Sequence, residues 1–167
     1  IVFEQMGGSI QSGGGMGLSP TVSTFAGSGN QGSANGTGTS ASFNAPSGIT
    51  TDGANLYLAD SGNHLIRQIV ISTGIVTTLA GTGSSGSSNG TGTSASFNSP
   101  LGITTDGTNL YVTDGSGGGY GWIRQIVIST GVVTTLAGSL TGGFANGTGT
   151  AAVFSAPHED EVFARLY

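Results

Sequence analysis

The most reactive side chains of this chain form one short run, in which Asp60 precedes His64 by four positions. An imidazole beside a carboxylate can act as a base–acid pair, and both groups are common metal ligands. Alternatively, Asp60 accepts backbone N–H bonds within a turn, His64 is a turn residue at the entrance of a strand, and Arg67 lies across the surface of a sheet. We favour this structural interpretation because Asp and Asn in turns usually bond locally.

Other candidates for chemistry carry weaker signals. The run HEDE at 158–161 holds three of the eight acidic residues and could ligate a divalent cation, but it is more typical of a solvated charged segment. The glycine-rich runs at 13–17 and 115–121 lack the Lys-Ser/Thr ending of a phosphate-binding loop, and no Gly-x-Ser-x-Gly elbow is present. The sequence therefore predicts that the protein is not an enzyme and has no catalytic residue, metal site or cofactor.

The composition narrows the classes of partner. Charged residues make up 7% of the 167 positions, against about a quarter in an ordinary soluble domain, while glycine alone occupies 33. Lysine is absent and the net charge is −5, so the chain offers no basic track for nucleic acid. No apolar run approaches the roughly 20 residues that span a bilayer, and the start lacks the features of a signal peptide. The first residue is Ile1 rather than Met, which fits either a removed leader or a piece of a longer protein.

Two long internal repeats organise the chain. Residues 36–60 return 54 positions later with five differences, and residues 66–81 return 57 positions later with one difference. The spacing grows by three because the five residues SGNHL at 61–65 are replaced by the eight residues GSGGGYGW at 115–122. Arg67 recurs as Arg124, which favours packing or carboxylate pairing as the role of both arginines.

Partial copies flank the two full units. Residues 21–27 match 75–81, and residues 146–157 match 89–100. The sequence predicts a glycine-rich segment with a possible strand at 1–20, a repeat domain at 21–157 with units at about 28–81, 82–138 and 139–157, and a divergent tail at 158–167.

Each repeat unit has the pattern of β-strands. Its apolar residues alternate or run continuously, and its segments are short and β-branched. Asp-Gly after the first strand and Ser-Thr-Gly before the last are typical hairpin turns, whereas no window supports a helix. The strands predicted for the first unit are Gly48–Thr51, Leu56–Ala59, Leu65–Ile71 and Ile75–Leu79. A four-stranded antiparallel meander in each unit predicts an all-β fold of β-propeller blades.

The motif F-N-x-P-x-G-I-T-T-D-G-x-N-L-Y-L-A-D-S-G-N-H-L-I-R-Q-I resembles the NHL repeat of β-propellers, and Asn63-His64-Leu65 spells its name. The resemblance covers residues 21–157. It implies about two full NHL-type blades with split partial blades at the ends, a first strand that lines a central channel and a third strand that opens at the His64 segment. In the second unit GGGYGW replaces the Asn-His signature, which argues against a shared catalytic role for His64.

The number of units raises the question of what completes the fold. Propellers close with about four to eight blades, and repeat units bury their faces only against neighbours. Either the chain is part of a longer propeller, or copies associate head to tail as a ring or filament by adding strands at open sheet edges. The predicted interface residues are Val22, Phe25, Tyr120, Trp122, Val162 and Phe163, with Tyr120 and Trp122 expected at a glycine-rich hairpin tip.

The tripeptide Asn-Gly-Thr recurs at Asn35, Asn89 and Asn146, each time eight residues before a phenylalanine. In a secreted eukaryotic protein these asparagines would be glycan acceptors, whereas in a bacterium the letters are more simply a glycine-permitted turn copied with the repeat. The phenylalanines Phe43 and Phe97 are expected to plug into the core between neighbouring blades.

Three classes of function remain. The first is a non-enzymatic, self-assembling structural protein outside the cell or at its surface, whose partners are copies of itself. The second is a recognition domain of a larger surface protein that binds a protein or glycan through loops such as 115–122. The third is a propeller hydrolase or lyase. Low charge, absent lysine and near-identical repeats favour the first class.

Overall fold

A computed structural model of the chain describes residues 2–5, 21–115, 120–155 and 157. This part contains strands and four 3-10 turns of three residues each, and it contains no α-helix. The strands are β1 (Val2–Gln5), β2 (Thr21–Thr24), β3 (Gly36–Thr37), β4 (Pro46–Thr51), β5 (Asn55–Asp60), β6 (Leu65–Val70), β7 (Ile75–Ala80), β8 (Gly90–Thr91), β9 (Ile103–Thr105), β10 (Asn109–Asp114), β11 (Gly121–Val127) and β12 (Val132–Ser139). The turns are Gly38–Ser40, Ser61–Asn63, Gly92–Ser94 and Gly149–Ala151.

Ten of the strands form two five-stranded antiparallel sheets, called blade 1 and blade 2. Their spatial orders are β3-β7-β6-β5-β4 and β8-β12-β11-β10-β9. The last four strands of each blade form the predicted meander, which confirms the all-β fold of partial propeller blades. The remaining strand, β3 or β8, is a Gly-Thr dipeptide from the preceding loop that pairs with the last strand of the same blade. The sequence did not predict it, because two residues show no alternation.

The first hairpin of each blade is closed by an Asp-Gly turn. In blade 1 Asp52 Oδ1 accepts the N–H groups of Ala54 (2.9 Å) and Asn55 (2.7 Å), and the Tyr57 hydroxyl donates to Oδ2 (2.7 Å). Gly53 takes a φ of +92°, where a side chain would be strained. Burial opposes the ionisation of Asp52, but the hydrogen bonds outweigh burial and lower its pKa to about 2. Burial and the Asp52 carboxylate together raise the pKa of Tyr57.

Strands β1 and β2 form a separate antiparallel hairpin, called the half-blade. Its register joins Val2 to Thr24 and Gln5 to Thr21. Because residues 21–27 repeat the sequence of 75–81, β2 corresponds to the last strand of a blade, and β1 takes the place of the third strand. The half-blade therefore precedes blade 1 in the repeat order, in the same way that blade 1 precedes blade 2.

The main apolar core lies between the two blades. It joins Tyr57, Ala59, Ile66 and Ala80 of blade 1 to Ala95, Phe97, Ile103, Leu110, Val112, Ile126 and Val133 of blade 2 and its preceding loop. Phe97 is fully buried there, at the blade boundary where it is expected. A second cluster covers the other face of blade 1, where Phe43 packs with Ala26 from the segment after β2. One face of a blade thus packs on the preceding unit and the other on the following unit.

Candidate functional site

Each blade contains a buried ion pair at its centre. In blade 1 Arg67 Nη1 lies 2.8 Å from Asp60 Oδ2, and neither side chain is exposed. Asp60 Oδ1 accepts the N–H of Asn44, and Asn63 Nδ2 donates to Oδ2, both at 2.8 Å. A carboxylate with these donors ties the turn and the preceding loop together, in the way that the structural interpretation of Asp60 requires.

The guanidinium of Arg67 joins the middle of blade 1 to the loop before it. Besides Asp60, it donates to Ser42 O (3.1 Å), Ala34 O (3.0 Å) and Asn35 Oδ1 (2.9 Å). Its central carbon lies 5.2 Å from the centre of the Phe43 ring, within cation–π distance. The side chain is fully buried beneath this loop, and its pairing with Asp60 is the carboxylate pairing that the recurrence of the arginine predicted.

Blade 2 repeats this cluster with its own residues. Arg124 Nη1 donates to Asp114 Oδ2 at 2.8 Å, Nη2 donates to Asn89 Oδ1 at 3.0 Å, and two loop carbonyls accept further bonds. The arginine lies 5.2 Å from the Phe97 ring. Burial raises the pKa of Asp114, although the Asn98 N–H and Arg124 partly oppose the shift. The repeated cluster ties the loop before each blade to the centre of that blade.

The arginine clusters supply a structural role for two of the recurring Asn-Gly-Thr sites. Asn35 and Asn89 are exposed, yet each uses its Oδ1 to accept a bond from the buried arginine of its blade. Recurrence of the asparagine together with the arginine was the sequence signal for this contact. Glycosylation of Asn35, Asn89 and Asn146 stays a prediction.

His64 connects the two blades. It follows the turn Ser61–Asn63 with a φ of +56°, and its Nδ1 accepts the backbone N–H of Ser99 at 2.9 Å. Ser99 belongs to the loop that enters blade 2. The Asp60 carboxylate accepts its hydrogen bonds from other residues, so the structure does not join His64 and Asp60 as a base–acid pair. Because Nδ1 already accepts the Ser99 N–H, this nitrogen is not free to serve as a base or metal ligand.

Further hydrogen bonds join the two blades near their first strands. Gly48 N–H donates to Leu101 O at 2.9 Å, and Ser47 Oγ donates to the same oxygen at 2.8 Å. Ser61 Oγ donates to Pro100 O. Leu101 occupies the repeat position of Ser47 and has no hydroxyl group, so blade 2 cannot repeat the bond of Ser47.

The described ranges contain neither a metal-binding cluster nor a membrane-spanning helix. There, no three His, Cys, Asp or Glu side chains lie close enough to hold a metal ion. The HEDE run at 158–161 lies outside the described residues. No helix in the described part of the chain has the length and apolar character to cross a membrane.

Trp122 lies elsewhere than the sequence predicts. It is part of β11 opposite Asp114, in the place of Leu65 in blade 1, and only 7% of it is exposed. The ring of Tyr120 meets the Trp122 ring edge-on, with centroids 5.5 Å apart. The hairpin-tip position predicted for Trp122 is wrong, because β11 already begins at Gly121 and places Trp122 within the strand. An interface role for Tyr120 and Trp122 stays a prediction.

The predicted interface residues near the chain ends fall into two groups. Val22 lies in β2 and is exposed, whereas Phe25 packs partly against the cluster on blade 1. Val162 and Phe163 lie outside the described residues.

Equivalent positions of the two blades differ in how well they are covered. Ile103 in β9 is 8% exposed because blade 1 covers it, whereas its counterpart Ile49 in β4 is 45% exposed. On the opposite side, Tyr57 is fully buried against blade 2, while its counterpart Tyr111 is partly exposed. The two outer faces of this unit are thus less completely covered than the faces that meet at its centre, and on blade 1 the half-blade side buries Phe43 but leaves Ile49 exposed. Each outer face can therefore take further cover from another chain.

Comparison with known proteins points to the same architecture. No family model matches the chain. NHL repeat-containing protein 2 of Gallus gallus is 44% identical over 57 residues, which are 34% of this chain and 8% of that protein, so the chain matches a small part of that relative's length. A crystal structure of a structural genomics protein of unknown function from Bacteroides thetaiotaomicron VPI-5482 aligns with a TM-score of 0.52 and 25% identity, covering 62% of this chain and 26% of the other.

Proposed function

We propose that this chain, which is built from NHL-type β-propeller repeats, is a non-enzymatic structural protein whose copies assemble head to tail through their outer blade faces. Its place of action in this proposal is outside the cell or at the cell surface. The geometry favours assembly over catalysis, because the buried polar clusters are repeated and internally bonded while the outer apolar faces are incompletely covered.

The observation that carries the proposal is the contrast between Ile49 and Ile103. The two residues occupy the same position of the repeat, but the exposed fraction falls from 45% to 8% when a blade lies in front. Blade 1 covers Ile103 with a full sheet, whereas only the two-stranded half-blade is described in front of Ile49. A second copy that completes the half-blade would therefore cover Ile49 as blade 1 covers Ile103.

The charge pattern supports this role. The described surface contains few ionised groups, since only 7% of all residues are charged. Strong like charge would oppose the approach of identical faces, whereas neutral polar residues around an apolar centre permit it. Contacts between copies would bury apolar area in the same manner as the boundary between blades 1 and 2.

The mass of the chain in solution, measured by sedimentation equilibrium over a wide concentration range, tests this proposal. We expect the average mass to rise with concentration and Ile49→Lys to lower it towards the monomer. Ile71→Lys is the matched control, because Ile71 is similarly apolar and exposed but lies at a hairpin turn, and it adds the same charge.

A wild-type chain that stays monomeric at all concentrations would reject self-assembly. The open faces would then favour the second class of function, in which blades of a different protein dock there. Equal effects of Ile49→Lys and Ile71→Lys would show that charge, rather than the blade face, controls association.

A further inference from the structure

We infer that the dipeptide Gly147–Thr148 of one copy adds to the open edge of β2 in the next copy, in the register that joins β8 to β12 and β3 to β7. This inference rests on the proposed head-to-tail assembly and assigns the strand that each copy gives and the edge that receives it.

The receiving edge is the outer side of the half-blade. In both full blades the last strand has a partner on each side, the third strand and the Gly-Thr dipeptide. Among the described residues, β2 has only β1 as a partner. As a result, Val22 is 68% exposed, whereas the equivalent residues Val76 and Val133 are each 1% exposed.

The loop before each full blade provides the cover at this position. Val76 pairs with Gly36 and packs in a cluster with Ala41 and Phe43. Val133 pairs with Gly90 and packs in a cluster with Ala95 and Phe97 from the second loop. The half-blade shows no such loop in the described structure, so Val22 lacks this cover.

The donor is the third copy of the same loop, at Ala145–Phe154. Its sequence repeats Asn-Gly-Thr-Gly-Thr, its turn Gly149–Ala151 corresponds to Gly92–Ser94, and Ala152 is buried like its counterpart Ala95. The corresponding Gly-Thr forms a strand in the two full blades but not at Gly147–Thr148. The described part of the chain contains no further last strand with which this dipeptide could pair.

Donor and acceptor are already held in the positions that a shared blade needs. Gly27 N–H donates to Gly38 O at 3.2 Å, just as Gly81 N–H donates to Gly92 O at 3.1 Å, so the half-blade lies on blade 1 as a preceding blade does. At the other side the donor loop packs on blade 2 through contacts between its turn Gly149–Ala151 and β12. In the register of the two full blades, Val22 pairs with Gly147 and Thr21 pairs with Thr148.

The two sites of a single chain do not meet. The half-blade precedes blade 1 and the donor loop follows blade 2, so the two are separated by both full blades. A closed propeller ring takes about four or more blades, so a composite blade formed inside one chain would close with too few. A second copy is therefore the occupant.

Disulfide cross-linking of single-cysteine variants tests this pairing, because the chain contains no cysteine of its own. Directly opposed residues of antiparallel strands have Cα atoms about 4.5–5.5 Å apart, a separation that a disulfide can bridge. We expect a mixture of Thr21→Cys and Thr148→Cys chains to form a covalent heterodimer under mild oxidation. A mixture of Thr24→Cys and Thr148→Cys chains is the control, since its cysteines lie out of register.

Val22→Lys supplies a second, independent measurement with Ile71→Lys as its charge-matched control. Because Val22 is exposed in the isolated chain, Val22→Lys should leave the circular dichroism and thermal midpoint near wild type but reduce association at least tenfold. Equal cross-linking of both cysteine mixtures, or unchanged association of Val22→Lys, in a chain that still self-associates would overturn this strand pairing and leave the proposed function intact. No association of the wild-type chain would reject both.

Discussion

The interiors of the two blades are near copies, whereas their boundaries differ. The Asp60–Arg67 and Asp114–Arg124 pairs share a 2.8 Å separation and the same arrangement of acceptors. At the entrance of the third strand, however, blade 1 has His64 bound to the next blade, and blade 2 has Gly121 at that position, against which Pro157 packs closely. The repeated interior builds each blade, and the variable boundary decides how one blade meets another.

Removal of either buried arginine should have the largest effect on stability. Arg67→Ala and Arg124→Ala each leave a buried carboxylate without its partner, which costs about 3–5 kcal/mol of unfolding free energy. We expect the two losses to be similar in urea unfolding because the clusters match. As a control, replacement of both members of one pair by apolar residues of similar volume should cost much less. A loss below about 1 kcal/mol for one arginine alone would show that the clusters are not equivalent.

The contrast between Ile103 and Ile49 should give the next largest effect. Ile103→Ala removes buried methyl groups from the boundary and should cost about 2–4 kcal/mol. Ile49→Ala should cost less than about 1 kcal/mol in dilute protein, because that side chain is partly solvated. Unfolding at higher concentration sharpens the comparison, since the cost of Ile49→Ala should then rise. Equal costs at low concentration would contradict the description of an open face.

The boundary contact of His64 should have a smaller effect. His64→Gly reproduces the residue found in blade 2 and keeps the left-handed backbone, so it removes little except the acceptor for Ser99 N–H. We expect a loss of about 1 kcal/mol in the unfolding free energy. Gln125→Ala, at a partly buried position of the equivalent third strand, indicates the background cost of removing a side chain. A stabilised His64→Gly variant would show that backbone strain outweighs the contact.

The Asp-Gly turns should give the smallest effect, visible in acid. Because the pKa of folded Asp52 is about 2, against a usual 3.8, its stabilisation is complete above about pH 4 and is lost as pH falls towards 2. Hydrogen bonds likewise lower the pKa of Asp106 in blade 2. Asp52→Asn should therefore flatten the loss of stability between pH 4 and pH 2, with Asp106→Asn as the comparison in the other blade. An unchanged acid limb in the variant would contradict the bonded carboxylate.

Local patterns predicted the blades well. The alternation of apolar residues predicted the four-stranded meanders. The dipeptide Asp52-Gly53 predicted a turn, and the hydrogen bonds of that turn span only two or three residues. The first strand was predicted two residues short, as Gly48–Thr51 instead of Pro46–Thr51, because Pro46 and Ser47 lie before a β-bulge and give no apolar signal.

Contacts between distant segments were beyond the reach of those patterns. The bond from Ser99 N–H to His64 joins residues 35 positions apart, and Ser47 reaches Leu101 over 54 positions. Burial of Arg67 likewise depends on acceptors in a loop that lies far from it in sequence. The open faces became visible only when equivalent positions of the two blades could be compared in exposure.

Amide hydrogen exchange of the wild-type chain at low and high concentration is the most direct test that open blade edges are completed by a second copy. We expect the protection of Thr21–Thr24 and Gly147–Thr148 to rise together with concentration. Exchange in β5 and β10, at the centres of the blades, should stay constant and serve as the internal reference. Concentration-independent exchange at both segments, in a sample where the mass shows association, would contradict the account.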